Sequence, residues 1–200
     1  EVEDTGIIYY SRFYKLPEGQ KLPVGDRLVA GDLGYLKYGV FWGDNNTFSI
    51  TFATSDTDKT FWGIKDPDMF EDVTRLIPDA AEWLELEAKP ITSVHSMAGL
   101  LNRKRTLCGP NGIVVDSFHL VGDALICTNP LYGRGCSTGF WQAHLLAQSI
   151  QSNNNDSIAQ GERFAQNIEE NILPWYSASV ESDKGNRASS ENDEDELSVM

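Results

Sequence analysis

The sequence predicts an α+β chain: an antiparallel or mixed sheet with its covering helices, followed by a loop-and-helix region. Three observations carry this. Alternating runs rich in β-branched and aromatic residues fill much of the first 55 positions, helical patterns with clear start signals follow from position 66, and a long apolar helical pattern begins near position 137. With 200 residues and 40% hydrophobic content, the chain can bury one sizeable core, enough for one domain or one domain and part of another.

In order, "GIIYYSRFYKL" alternates as a strand and is closed by "PEG". "GYLKYGVFW" and "TFSITFAT" are two more strands, joined by the turn-forming "GDNN" as a hairpin. "DPDMFEDVTRLI" has the start signals of a helix, with Asp66 as N-cap, Pro67 at the first helical position and acids in the first turn. "PDAAEWLELE" is a second helix. "ITSVHSMAGLLNRKRTL" has no decisive period, and "GIVVDSFHLVGDALI" reads as short buried strands around a turn, with Phe118, Leu120, Val121 and Leu125 in the core. Residues 137–150 form a helix broken by "NNNDS", with Trp141, Leu145 and Leu146 packed on the sheet. A last helix starts at Ser157, and Pro174 should kink or interrupt it.

A net charge of −14 excludes a general nucleic-acid binder, which needs a basic stripe to displace phosphate counterions, and suits an anionic membrane surface no better. Residues 181–200 hold seven acidic and two basic side chains and read as a solvated, disordered tail. Cys108, Cys127 and Cys136 are odd in number without CxxC spacing, so neither a disulfide framework nor a metal site is signalled. No signal peptide or membrane-length apolar run is present, and a cytoplasmic location is expected. The sequence opens without Met, directly into a strand pattern, as a piece of a longer protein would.

The stretch "NPLYGRGCSTG", 129–139, lies between the apolar "HLVGDALIC" and the helical "FWQAHLLAQSI". A dinucleotide fingerprint fails on context: the glycines follow GxGxxxG, and polar loop and helix follow where a second strand belongs. A nucleophilic Cys136 has a motive, because a helix start favours a thiolate, yet no context brings His95, His119 or His144 beside it. A third reading joins Gly122-Asp123 to the loop: the carboxylate accepts hydrogen bonds from ligand hydroxyls, the glycines admit a flat ligand, and the helix start holds partial negative charge.

"VGDALICTNPLYGRGCSTGFWQA" resembles the GD motif of FAD-dependent monooxygenases of the para-hydroxybenzoate hydroxylase class and of the related geranylgeranyl reductases. The resemblance implies that Asp123 binds the ribityl hydroxyls of FAD, with Gly122 giving the backbone room. It sets Pro130 beside the isoalloxazine ring, and Gly133, Arg134, Gly135 and Cys136 at the flavin's pyrimidine edge. "YYSRFY", "GDNNTFSITF", "HSMAGLLNRKR" and "PWYSASVESD" resemble, more loosely, a bacterial oxidoreductase branch of the same superfamily. Residues 1–107 would then be the substrate-side sheet and helices, and 108–180 the flavin-side strands, GD loop and helices. The family's amino-terminal GxGxxG segment and its middle DG motif are absent from these residues, so a missing Rossmann portion is expected in a longer chain and the isolated piece should bind FAD poorly. Gly139 stands where many relatives carry Ala, and the halogenase tryptophan motif and lysine are not evident.

The resemblance implies an oxidoreductase using FAD, with NADH or NADPH as reductant and O2, to hydroxylate or epoxidise a small organic substrate. A flavin reductase of a prenyl-type substrate, a non-catalytic remnant domain and a Cys136-dependent hydrolase are the alternatives. Candidate substrate residues are Tyr10, Arg12, Tyr14, His95 and Arg103, chosen as polar or aromatic groups that could face a pocket; ordinary sheet packing is the competing explanation for each.

Overall fold

The computed structural model describes residues 1–20 and 29–197, the side chains of 188–197 excepted. In chain order the strands are β1 (Val2–Asp4), β2 (Ile7–Lys15), β3 (Val29–Asp32), β4 (Lys37–Trp42), β5 (Thr47–Ser55), β6 (Lys89–Pro90), β7 (His95–Met97), β8 (Leu101–Lys104), β9 (Cys108–Gly109), β10 (Gly112–Ile113) and β11 (Ile126–Cys127). The helices are α1 (Pro67–Arg75), α2 (Pro78–Leu84), α3 (Gly135–Ser152), α4 (Ser157–Asn171) and α5 (Leu173–Leu197). The fold is α+β, with every strand pair antiparallel, and the chain divides into two compact units.

The unit formed by Gly6–Gly99 is a six-stranded sheet in the order β3-β4-β5-β2-β6, with β7 also paired to β2. The hairpin between β4 and β5 closes as its turn composition dictates, Asn45 and Asn46 taking the positive φ that asparagine tolerates. Asp66 caps α1, its Oδ1 accepting from the amides of Asp68 at 3.0 Å and Met69 at 3.2 Å. Tyr10, Tyr14, Val40, Phe48, Ile50 and Phe52 occupy one face of the sheet and form a core with Phe70 of α1 and Ala80 and Trp83 of α2. Aromatic rings dominate it: Tyr14 stacks on Phe48 at 5.2 Å, Phe48 meets Trp83 at 5.0 Å and Phe52 meets Phe70 at 4.9 Å.

The other unit comprises Glu1–Thr5 and Leu100–Ser189. Its small sheet runs β1-β8-β11, because "LNRK" of the sequence-ambiguous segment pairs with β1 on one edge and β11 on the other. Leu125, Ile126, Leu145, Phe164, Ile168, Ile172, Tyr176 and Val180 make its core, with Leu120 and Leu146 packed against them. Pro174 ends the helical run as its missing N–H requires: α4 stops at Asn171 and α5 restarts at Leu173.

Three expectations are corrected. Phe118 and Val121 are not core but 49% and 39% exposed, because residues 114–121 join no strand ladder and β10 ends at Ile113. Trp141 is likewise 39% exposed, on the outer side of α3. The acidic stretch from 181 is not solvated throughout: Asp183, within α5, is buried, since three hydrogen-bond donors compensate its carboxylate. Residues 198–200 of that stretch lie outside the described residues.

Candidate functional site

The GD turn and the glycine loop meet in the second unit. After extended Val121, Gly122 adopts φ 63° and opens a 3₁₀ turn, Gly122–Ala124, that leads into β11. Asn129 caps a second 3₁₀ turn, Pro130–Tyr132, its Oδ1 accepting from the Leu131 amide at 3.1 Å, and Gly133 ends that turn at φ 61°. Both glycines supply a left-handed backbone that other residues rarely adopt.

Arg134 then begins α3 without any side-chain cap, so the first amides of an 18-residue helix are left without side-chain partners. Gly139 packs on the GD turn, a Cβ there falling 3.5 Å from the Gly122 Cα, and a Cβ at Gly135 would lie 3.9 Å from Asp123 Oδ1. The carboxylate of Asp123 and the start of α3 are thus side by side, and Asp123, Pro130, Gly133, Gly135 and Cys136 are all exposed. Among the described residues, nothing lies within 4 Å of a Cβ built on Gly122 or Gly133. This is a surface with one acceptor group and several free N–H donors, open to a ligand that approaches backbone closely.

Residues that the sequence reading passed over hold this surface in place. Arg105 donates to the Ala124 carbonyl at 2.9 Å, bracing the GD turn. Asp183 accepts from Asn102 Nδ2 at 2.6 Å, Asn129 Nδ2 at 2.9 Å and the Tyr132 hydroxyl at 2.7 Å. Burial, then the bond to Asp183, push the Tyr132 phenol far above its ordinary value, so it stays a donor. The Arg134 guanidinium lies over the Tyr132 ring at 5.4 Å and the Trp175 ring at 5.2 Å. Burial, with the nearby Asp123 charge, raises the Cys127 thiol. A polar residue flanking the loop, such as Asn129, was the available signal; Asp183 offered none.

The candidate substrate residues distribute differently. Tyr10 and Tyr14 face the helix-covered core, 2% and 1% exposed. Arg12, on the same face, is tied to Glu71 Oε1 at 2.9 Å and to the carbonyls of Pro67 and Thr92, both at 3.3 Å. His95 is exposed on the opposite face, where the register sets it across from Ser11, and Ser11 across from Thr51. That face also carries Phe41, whose ring covers Gly39 so closely that a Cβ there would fall 2.8 Å from it. Phe13, Phe41 and Met97 are half-exposed there. Arg103 is in the other unit, on β8. That unit also holds a cavity of about 530 Å³, lined by Leu107, Ile113, Phe118, Leu125, Phe164 and Ile168 among others, and none of the candidate cofactor or substrate residues lines it.

Solved structures share this architecture. HpxO of Klebsiella pneumoniae, complexed with FAD and uric acid, superposes with a TM-score of 0.65 at 13% identity, over 100% of this chain and 50% of its own. The chain has the fold of the carboxy-terminal half of FAD-dependent monooxygenases. PqsL of Pseudomonas aeruginosa, a probable FAD-dependent monooxygenase, matches with a TM-score of 0.61 at 15% identity, over 90% of this chain and 48% of its own. The flavin-dependent halogenase CmlS gives 0.56 at 14% identity, over 84% of this chain and 30% of its own. The chain therefore spans about half the length of the first two. No protein-family model and no curated protein matches the sequence.

Proposed function

We propose that this chain is the carboxy-terminal part of a FAD-dependent oxidoreductase of the monooxygenase type, acting with NADH or NADPH and O2 on a small organic substrate. The observation that carries the reading is the packing of Gly139 on Gly122, which aligns the Asp123 carboxylate with the uncapped start of α3. An acceptor beside a row of donors suits FAD, whose ribityl chain offers hydroxyls and whose ring edge offers acceptors, and the open space over Gly122 and Gly133 suits a flat ring. The residues present fit the cofactor.

In this reading Asp123 would accept hydrogen bonds from the ribityl hydroxyls, and Pro130 would help hold the ring. The amides of Gly135 and Cys136, at the positive end of α3, would hold the acceptor edge of the ring. When bound, FAD supplies the hydride and oxygen chemistry, so no side-chain nucleophile is required. Among the candidate substrate residues, His95 is the one left exposed, on the sheet face opposite the helices. Binding of the ADP half of FAD is assigned to sequence outside these residues, consistent with the half-length match to HpxO.

The test is FAD binding, followed by absorbance and flavin fluorescence, in this chain and in the chain extended at its amino terminus by its native upstream sequence. The extended protein should retain yellow flavin, and Asp123→Ala should weaken binding at least tenfold without altering its circular dichroism. A folded extended protein that takes up no flavin would overturn the proposal.

A further inference from the structure

We propose that Asp183 is a positioning residue whose buried carboxylate holds the Asn129–Gly135 loop in shape, with Trp175 of the same helix making α5 a clamp on the start of α3. The inference rests on the flavin reading for its functional meaning, although the clamp itself is a property of this chain alone.

The hydrogen bonds fix what residue 183 must be. The Asn102 Oδ1 accepts from the Asn129 backbone amide at 2.8 Å, so its amide group can turn only its Nδ2 toward position 183. The Asn129 Oδ1 accepts from the Leu131 amide, so it too presents Nδ2 to position 183. The Tyr132 hydroxyl is the third donor. Three donors converging on one buried group require a group that only accepts, which among side chains of this size is a carboxylate. Asn102, Asn129 and Asp183 are 0%, 2% and 4% exposed, so water cannot substitute for a missing partner without rearrangement.

The consequence falls on the loop. Asn129 and Tyr132 flank Pro130, and the next residue, Gly133, precedes Arg134, whose guanidinium lies against the rings of both Tyr132 and Trp175. Through Asp183 and Trp175, α5 therefore grips the loop immediately before the amides of α3. A preorganised donor row binds a ligand without the cost of ordering it first.

Asp183→Asn tests this with minimal change in shape, because its amide must set an N–H against one of the three donors. Asp183→Leu removes the acceptor altogether, and Glu181→Gln on the exposed side of α5 is the control. Amide hydrogen exchange in the ligand-free chain reads Leu131, Tyr132 and Gly133, whose N–H groups are hydrogen-bonded within the loop. FAD affinity and the flavin absorbance spectrum are measured on the extended protein. The expected result is at least a tenfold loss of protection at these amides in Asp183→Asn with α4 unchanged. At least a tenfold weaker FAD affinity and a shifted flavin spectrum should accompany it, all larger in Asp183→Leu and absent in Glu181→Gln. Unchanged loop protection overturns the clamp, whatever FAD does. Lost protection with unchanged affinity and spectrum overturns the positioning role. If protection is lost but the wild type binds no FAD, the clamp stands and the flavin reading is what fails.

Discussion

Gly139 of α3 rests directly on Gly122 of the GD turn: a Cβ at 139 would lie 3.5 Å from the Gly122 Cα, an ordinary van der Waals distance. A methyl group therefore fits where a larger side chain does not. Gly139→Ala should stabilise the protein by about 0.5–1 kcal/mol, because alanine loses less backbone entropy in a helix than glycine does. Gly139→Leu should instead push α3 from the turn, lowering the melting temperature and weakening FAD binding by the extended protein. Thermal denaturation of both variants checks the sign of each change.

At Gly122 and Gly133 the limit is the backbone, not space. Their φ angles are 63° and 61°, and a Cβ added at either would meet no atom of the described residues within 4 Å. Alanine at either position should cost about 1–2 kcal/mol, and Gly133→Asn should cost less than Gly133→Ala because asparagine tolerates the left-handed region. Urea midpoints measured for all three variants decide the ranking.

Arg12 is structural in its contacts. It donates to Glu71 and to two carbonyls, of Pro67 and Thr92, and its side chain is only 11% exposed. Arg12→Met keeps the apolar stem but leaves those acceptors without their donor, and should cost about 2–3 kcal/mol. Glu71→Gln retains an acceptor oxygen for Arg12 and should cost less. Equilibrium unfolding in urea gives both numbers.

Tyr14 sets a limit at alkaline pH. Burial pushes its phenol from 10.0 up to about 12, the neighbouring Arg12 charge acting in the opposite direction. A folded-state value above the unfolded one means a contribution to stability that is fully present below pH 10 and lost as pH rises through 12. The wild type should thus lose stability relative to Tyr14→Phe between those values, with a constant difference below about pH 9. Paired urea midpoints from about pH 8 to pH 12 trace the difference.

Short-range chemistry was legible in the sequence. Period-two alternation located β2, β4 and β5, the asparagines of "GDNN" closed the hairpin, and Asp66 with Pro67 started α1. Gly122, Asp123 and the glycines from 133 to 139 entered as candidates through the resemblance of their segment to the GD motif, not through spacing alone. Tertiary structure alone decided which sheet face the helices cover, sending Tyr10, Arg12 and Tyr14 toward the core and His95 to the opposite face. It alone exposed Phe118 and Val121, because an apolar run becomes a buried strand only if a neighbouring strand pairs with it. It decided Asp183 as well: composition marks that stretch as solvated, but burial depends on partners 81 and 54 positions away in Asn102 and Asn129, and no local pattern encodes a donor that distant.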